Sequence, residues 1–373
     1  MKTFLLILFS SLIAHAQILT LSPTDKSITI TPNGIQGATN DNTSISNVAL
    51  GGLALFSNSG GIANTAIGNA ALRSTTTGRY NTAIGTEALA DNTIGYFNSA
   101  NGVYALKYNT IGSSNTAIGY AALFLNVNGN SNTASGQNAL GLNTSGSYNT
   151  ASGVSALNKN TTGQYNTANG FEALLNNTIG SGNIGVGYNS GNAISTGTLN
   201  TFLGYNANAD ADISNAIAIG SNTIVNASNK VRIGDANITV IEGQVPWSNP
   251  SDRRLKENII YTDQLGLGFI SQLQTVSYNY KSDKNKTRLD GFIAQDIEQV
   301  LEKSGLTFSG LKKSTDGIYS LAYSDFVMPL VNAIKELKAK NEALEKRLIV
   351  LEELRAELNQ IKTQISAQRT SEK

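Results

Sequence analysis

The chain has no cysteine, and its single histidine, His15, falls in a segment that the sequence marks for removal. Lys2 precedes an apolar run from Phe4 to Ile13 and then Ala14-His15-Ala16, a small-x-small pattern. Residues 1–16 are therefore predicted to be a secretory signal, with Gln17 opening the mature, exported chain. A mature chain without Cys or His excludes a zinc site of the usual ligands, a Cys nucleophile, a His general base and a disulfide framework. No metal or cofactor is expected, and covalent chemistry falls to Ser, Thr, Lys, Tyr or carboxylates. No run of about 18 apolar residues follows the signal, so no membrane-spanning helix is expected. A net charge of +1 gives no electrostatic case for nucleic acid.

Charge is scarce as well, and unevenly so. From Gln17 to Pro250 there are 7 Lys+Arg and 9 Asp+Glu, whereas from Ser251 to Lys373 there are 19 and 17. Two different materials are joined at Ser251.

The first material is a repeat. Asn-led tetrads of the "NTAIG" type begin at Asn47, Asn64, Asn81 and so on to Asn200, ten copies each 17 residues after the last. A strict period over that many copies implies one unit stacked on itself, a solenoid. Glycine recurs four residues into each copy (Gly51, Gly68, Gly85 to Gly204) and again at offset 14 (Gly61 to Gly197). These positions are predicted corners, where the backbone needs positive φ or close approach. They delimit two short predicted strands, one at Asn-Thr-Ala-Ile and one at the Ala-Leu pair that recurs from Ala54-Leu55 to Ala173-Leu174. One Leu and a column of Ala (Ala49 to Ala168) per coil make a thin interior, which partner chains are expected to help close. After Gly204 the spacing tightens, with "NAIAIG" at Asn215–Gly220 and "NKVRIG" at Asn229–Gly234 about 14 residues apart. The array from Asn47 to Gly234 resembles the left-handed β-roll heads of trimeric autotransporter adhesins, which implies a trimeric roll feeding a neck. The Thr column (Thr65, Thr82, Thr116, Thr133, Thr150, Thr167) reads either as a hydroxyl ladder for ice or glycan or as ordinary half-exposed strand residues.

"VPWSNP", residues 245–250, holds two prolines and the only Trp, a stiff connector. Directly after it, Ser251 or Asp252 reads as a helix N-cap. "SDRRLKENI" (251–259), "VSYNYK" (276–281), "DGFIAQDIEQVL" (290–301) and "YSLAYSDFVMPLVNAIKEL" (319–337) come in an order and spacing that resembles the C-terminal intramolecular chaperone, an auto-cleaving peptidase domain, of endosialidase-type phage tailspikes and tail fibres. The resemblance implies a Ser-Lys dyad of Ser251 and Lys256 and a scissile bond between Pro250 and Ser251. A lysine can serve as base where burial favours its neutral form. Five residues along a regular helix would set the two side chains about 140° apart, so Ser251 is expected in the loop or cap before the helix.

From Leu330 the apolar residues step by four and three through Ile334, Leu337, Asn341, Leu344, Leu348 and Leu351, a heptad seam with a polar Asn341 that fixes register. Leu351 to Leu354 is a second step of three, a stammer, before the phase resumes through Leu358, Ile361 and Ile365.

The reading is a mainly β chain with a C-terminal α part: signal 1–16, N-terminal segment 17–46, β-roll head 47–234, neck 235–250, auto-cleaving chaperone 251–329, coiled coil 330–366 and tail 367–373. As a protein it reads as an exported, extracellular or cell-surface homotrimeric fibre, with a surface glycan as a candidate ligand. The alternative is an ice- or glycan-binding β-solenoid with a non-cleaving trimerisation domain. An enzyme acting on external substrate is disfavoured, because head carboxylates (Glu87, Asp91, Glu172, Asp210, Asp212) do not recur in register as an acid pair would.

Overall fold

The computed structural model describes residues 28–31, 34–37, 47–245, 247–281, 283, 285–314 and 317–371. The predicted signal with His15, most of the segment 17–46, Pro246 and the last residues of the tail lie outside them. The chain divides after Asp235 into two compact units.

The first unit is a β-solenoid. β1 (Ile28–Thr31) and β2 (Gly34–Gly37) form a separate antiparallel hairpin. From β3 (Val48–Leu50) to β12 (Thr201–Leu203), then β14 (Ile217–Ile219) and β16 (Val231–Ile233), one three-residue strand per coil joins a 12-stranded parallel sheet, which makes about 11 turns. Identical positions pair, Ala66 with Ala83 and Ala83 with Ala100. In the inner strands the middle residue, mostly Ala, is buried and the flanking pair faces outward.

The Ala-Leu leg does not form the strand expected of it. In the 17-residue coils it is a chain of turns with each Leu at positive φ, between 49° and 53° from Leu72 to Leu174. It still bonds coil to coil, as in Leu72 N–H to Ala88 O at 3.0 Å. Only where the coil shortens does the leg straighten: β13 (Asn208–Ala209) pairs with β15 (Ile224–Val225) as a second parallel sheet. The extra length of the longer coils is thus absorbed by curling that leg. The corner glycines meet both demands. Gly68 has φ +131°, and a Cβ there would lie 2.5 Å from Gly85 O; Gly95 has no positive φ, but its Cβ would lie 2.4 Å from Gly112 O.

The interior closes within one chain, against the expectation that partner chains complete it. Leu72 to Leu174 and the Ala columns from Ala66 to Ala168 and from Ala71 to Ala173 are fully buried, and the remaining space is filled by asparagine. One ladder is the repeat's leading residue: Asn81 N–H donates to Asn64 Oδ1 at 3.0 Å while Asn81 Nδ2 donates to Gly95 O at 2.9 Å. The second lies at offset 11: Asn109 Nδ2 donates to Asn92 Oδ1 at 2.8 Å and to Gly112 O at 2.9 Å. A buried amide is tolerated only when its donors and acceptor are met, and a ladder of identical amides meets them wherever it runs unbroken from coil to coil. Thr75 interrupts the second ladder between Asn58 and Asn92, and its Oγ1 is, among the described residues, the buried side-chain polar atom without a partner.

Asp212 ends another row. In successive coils the N–H groups at offsets 12 to 14 converge on one carbonyl of the next coil, as Ser59, Gly60 and Gly61 do on Thr76 O. At the narrowing, Asp212 replaces that carbonyl, accepting from Ser195 N, Thr196 N and Gly197 N and from Thr196 Oγ1 at 2.6 Å. Partial burial opposes ionisation of this carboxyl, but the hydrogen bonds from the Thr196 hydroxyl and the three N–H groups outweigh it and hold its pKa below the ordinary 3.8.

The second unit has a small core of Phe269, Ile297, Leu301, Phe308 and Phe326. It is built from the short helix Leu267–Ile270, the hairpins β17 (Val276–Tyr278) with β18 (Leu289–Gly291) and β19 (Leu311–Lys313) with β20 (Tyr319–Leu321), and the helix Ala294–Ser304. The helix Val327–Ser371 then runs 45 residues, about 68 Å at 1.5 Å per residue. Glu336 anchors it to the core by accepting from Leu267 N–H at 3.2 Å.

The amide ladder can be tested in both directions. Thr75→Asn, which joins the broken ladder, is expected to stabilise the solenoid by about 1 kcal/mol, whereas Asn126→Ala, which orphans its neighbours, is expected to cost about 2–3 kcal/mol; denaturant melts followed by circular dichroism check both. For Asp212 the folded pKa is depressed, so its contribution is present above the unfolded pKa and is lost as pH falls through the folded value. The wild-type melting temperature should therefore drop more than that of Asp212→Asn as the pH is lowered from neutrality to below 3.8.

Candidate functional site

The segment from Ala236 to Tyr261 contains, among its described residues, no strand and no α-helix, and its one regular element is a single 3-10 turn, Arg253–Leu255. Asp252 is the N-cap of that turn, in extended conformation (φ −63°, ψ 135°), and Lys256 leaves it extended again (φ −121°, ψ 138°). Ser251 therefore lies in the chain before the turn, as expected. An extended residue on each side of one tight turn brings the ends of the motif together: Lys256 Nζ donates to Ser251 Oγ at 2.6 Å.

Nothing packs beneath this turn. It contributes no buried residue, Leu255 is 72% exposed and Trp247 89%. What holds it is electrostatic. Asp252 Oδ1 accepts from the Arg254 backbone N–H at 2.8 Å, and the Arg254 guanidinium grips the same carboxylate through Nε at 3.1 Å and Nη2 at 2.6 Å. The Arg254 side chain and then its backbone N–H draw the Asp252 carboxyl below its ordinary value, against slight desolvation. The guanidinium is raised in turn by its bond to Asp252. Such a fork onto a carboxylate fixes geometry as well as charge.

The structure brings Ser251 and Lys256 into hydrogen-bond contact and puts the cap at Asp252. It does not bury the pair: both residues are exposed in the single chain. Sequence reasoning missed Arg254 as a partner of Asp252. The signal was there, since an Asp-x-Arg spacing across a turn lets one carboxylate meet both a backbone N–H and a guanidinium.

The family model of the chaperone of endosialidase matches residues 251–306, C-terminal to the solenoid and starting at Ser251 itself. Three of the four segments on which the resemblance rests fall inside it, and "YSLAYSDFVMPLVNAIKEL" lies beyond. Among curated proteins none matches the chain.

Because the turn has no core under it, removing its clasp should loosen the dyad. Asp252→Ala and Arg254→Ala are expected to loosen the turn that holds Ser251 against Lys256, read as faster hydrogen exchange at the Leu255 and Lys256 amides that close it. Asp252→Asn keeps an acceptor for the Arg254 N–H and should fall between.

Proposed function

We propose that the chain is an exported homotrimeric fibre, adhesin-like in build, whose C-terminal domain aligns three copies and is then released by self-cleavage between Pro250 and Ser251. The observation that carries the reading is the 2.6 Å contact of Lys256 Nζ with Ser251 Oγ at the first residue of the chaperone match.

In this reading Lys256, as the neutral amine, takes the Ser251 hydroxyl proton while Oγ attacks the Pro250 carbonyl carbon. The C–O bond forms, the C–N bond breaks, and the departing Ser251 nitrogen receives the proton from Lys256. Water then opens the ester, leaving a carboxylate on Pro250 and restoring the Ser251 hydroxyl at a new N-terminus. Burial favours the neutral amine, and since the dyad is exposed in one chain, the reading assigns that burial to neighbouring copies. Cleavage is then confined to the assembled state.

Support for assembly comes from the helix Val327–Ser371. Leu330, Ile334, Leu337, Leu344, Leu348, Leu351, Leu354, Leu358, Ile361 and Ile365 are all exposed along it, a seam that a coiled coil of several copies buries. The core cluster of five buried side chains is small for a unit that runs from Ala236 to Lys373, so association is also its route to stability. No described helix is long and apolar enough to cross a membrane. A fibre matured by removing its template persists kinetically, because unfolded chains no longer carry the domain that set their register.

Intact mass and sizing of wild type, Ser251→Ala and Lys256→Ala check the reading. The wild type is expected to yield a fragment beginning at Ser251, and both variants to stay full-length and trimeric. A wild type that is trimeric and folded yet uncut would leave the chaperone role without the peptidase.

A further inference from the structure

Between the two hairpins of the second unit lies a groove of about 540 Å³. Its walls are Tyr278 and Tyr280 at the end of β17, Ile318 and Tyr319 at the start of β20, and Phe292 and Tyr323 beside them. The rings hold one another in place. Tyr278 and Tyr280 meet edge to face at 5.4 Å, Phe292 and Tyr323 stack at 6.0 Å, and Tyr323 Oη accepts from the Phe292 N–H at 3.0 Å. Tyr319 Oη donates to Glu298 Oε2 at 2.6 Å. The helix Ala294–Ser304 begins at the same groove, where Ile293 supplies no side-chain cap, so first-turn N–H groups remain as donors. No residue lining the groove carries a charge, and Tyr280, Ile318 and Tyr323 are exposed.

Fixed aromatic rings around an uncharged groove fit an extended segment that carries proline and aromatic groups and no charge. The second unit itself contains such a segment. Trp247-Ser248-Asn249-Pro250 is uncharged, runs up to the candidate scissile bond, and leaves the only tryptophan of the chain in water. The seam of the long helix is the rival apolar occupant, but Lys and Glu flank it along its length, and a groove without charge would leave them unpaired. The segment also has the reach. Thr262 is held to the long helix, its carbonyl accepting from Asn332 Nδ2 at 3.4 Å, and the 15 residues from Trp247 to Thr262 extend to about 50 Å. In the single chain segment and groove both stand open, so the occupant belongs to another copy.

We infer that the groove of one copy receives Trp247 to Pro250 of a neighbouring copy, with Trp247 among the tyrosines, and so fixes the acyl side of the bond to be cut. The inference rests on the self-cleaving homotrimer proposed above and names what recognises the segment ahead of Ser251. The indole supplies the apolar area and the rings supply the face it stacks on. First-turn N–H groups of the helix Ala294–Ser304 then serve the carbonyls of the segment, which an extended chain leaves without intrachain partners. Tyr280 and Ile318 are positioning residues here, since they touch the chain before the bond and not the reacting atoms. Seating the segment also covers the dyad that directly follows it, and that burial favours the neutral amine of Lys256.

Because Trp247 is the sole tryptophan, its fluorescence reads the site directly. In the full-length Ser251→Ala protein its emission is expected at shorter wavelength than in the unfolded chain and shielded from acrylamide. Tyr280→Ala with Ile318→Asp, at positions exposed in the single chain, is expected to shift the emission back and remove the shielding while sizing still shows a trimer. Mixed assemblies tell the copies apart. Ser251→Ala chains that keep Trp247 but carry the two groove changes, co-expressed with an excess of Ser251→Ala, Trp247→Phe chains with an intact groove, are expected to regain the shift. A trimer whose Trp247 is as open to acrylamide as in the unfolded chain overturns the inference and leaves the homotrimer standing. A monomer overturns both. A shift that survives the groove changes seats the tryptophan elsewhere, and one that the mixed assemblies fail to regain seats it in the groove of its own chain; either outcome overturns the inference.

Discussion

The hydrogen bond from one asparagine to its equivalent in the next coil is the contact on which the solenoid depends. Each coil has too little apolar bulk to hold itself, one Leu and a few Ala, and its backbone is largely turns. The two internal amide ladders make up the difference, because an Asn side chain such as Asn81 or Asn109 bonds both to the preceding coil and to a glycine carbonyl. Such a network has no value in a single coil and full value in a stack. The same logic imposes the corners, since coils close enough for amides to bond leave no room for a Cβ at Gly68 or Gly95.

The core of the solenoid is complete in one chain. The interior is closed, whereas residues of the outer sheet face and of the seam of the long C-terminal helix are exposed. The outward sheet positions carry no charge, and the seam of the helix is apolar except at Asn341. The dyad belongs to the same pattern: its atoms are already in contact, held by Asp252 and Arg254, yet exposed. Geometry is supplied within one chain, by an extended residue on each side of a single tight turn.

Much of this is legible in the sequence because it is periodic or local. The period, the sheet strand, the buried Leu and Ala columns and the glycine corners follow from residues that recur at constant offsets. Ser251 and Lys256 are picked out by a family resemblance, and the place of Ser251 ahead of the turn by a spacing that a continuous helix could not satisfy. The Ala-Leu leg reads as strand from its corners, while the true determinant is coil length: the longer coil must curl where the shorter one can run straight, and Leu72 and its equivalents accept a left-handed backbone to do so. The amide core is hidden because Asn is a turn residue by habit, and a buried ladder of it becomes evident only once coils are stacked. Arg254 is invisible as a clasp because its role depends on the side chain of Asp252 turning back toward it.

The identical register from Ala66 to Ala168 also has a consequence for how such a chain changes over generations. A whole coil can be duplicated or deleted without disturbing any rung, since each neighbour offers the same donors and acceptors. Reach then becomes a quantised trait, adjustable in increments of about 4.8 Å per coil, a ruler whose marks are written in the gene as units of 17 codons.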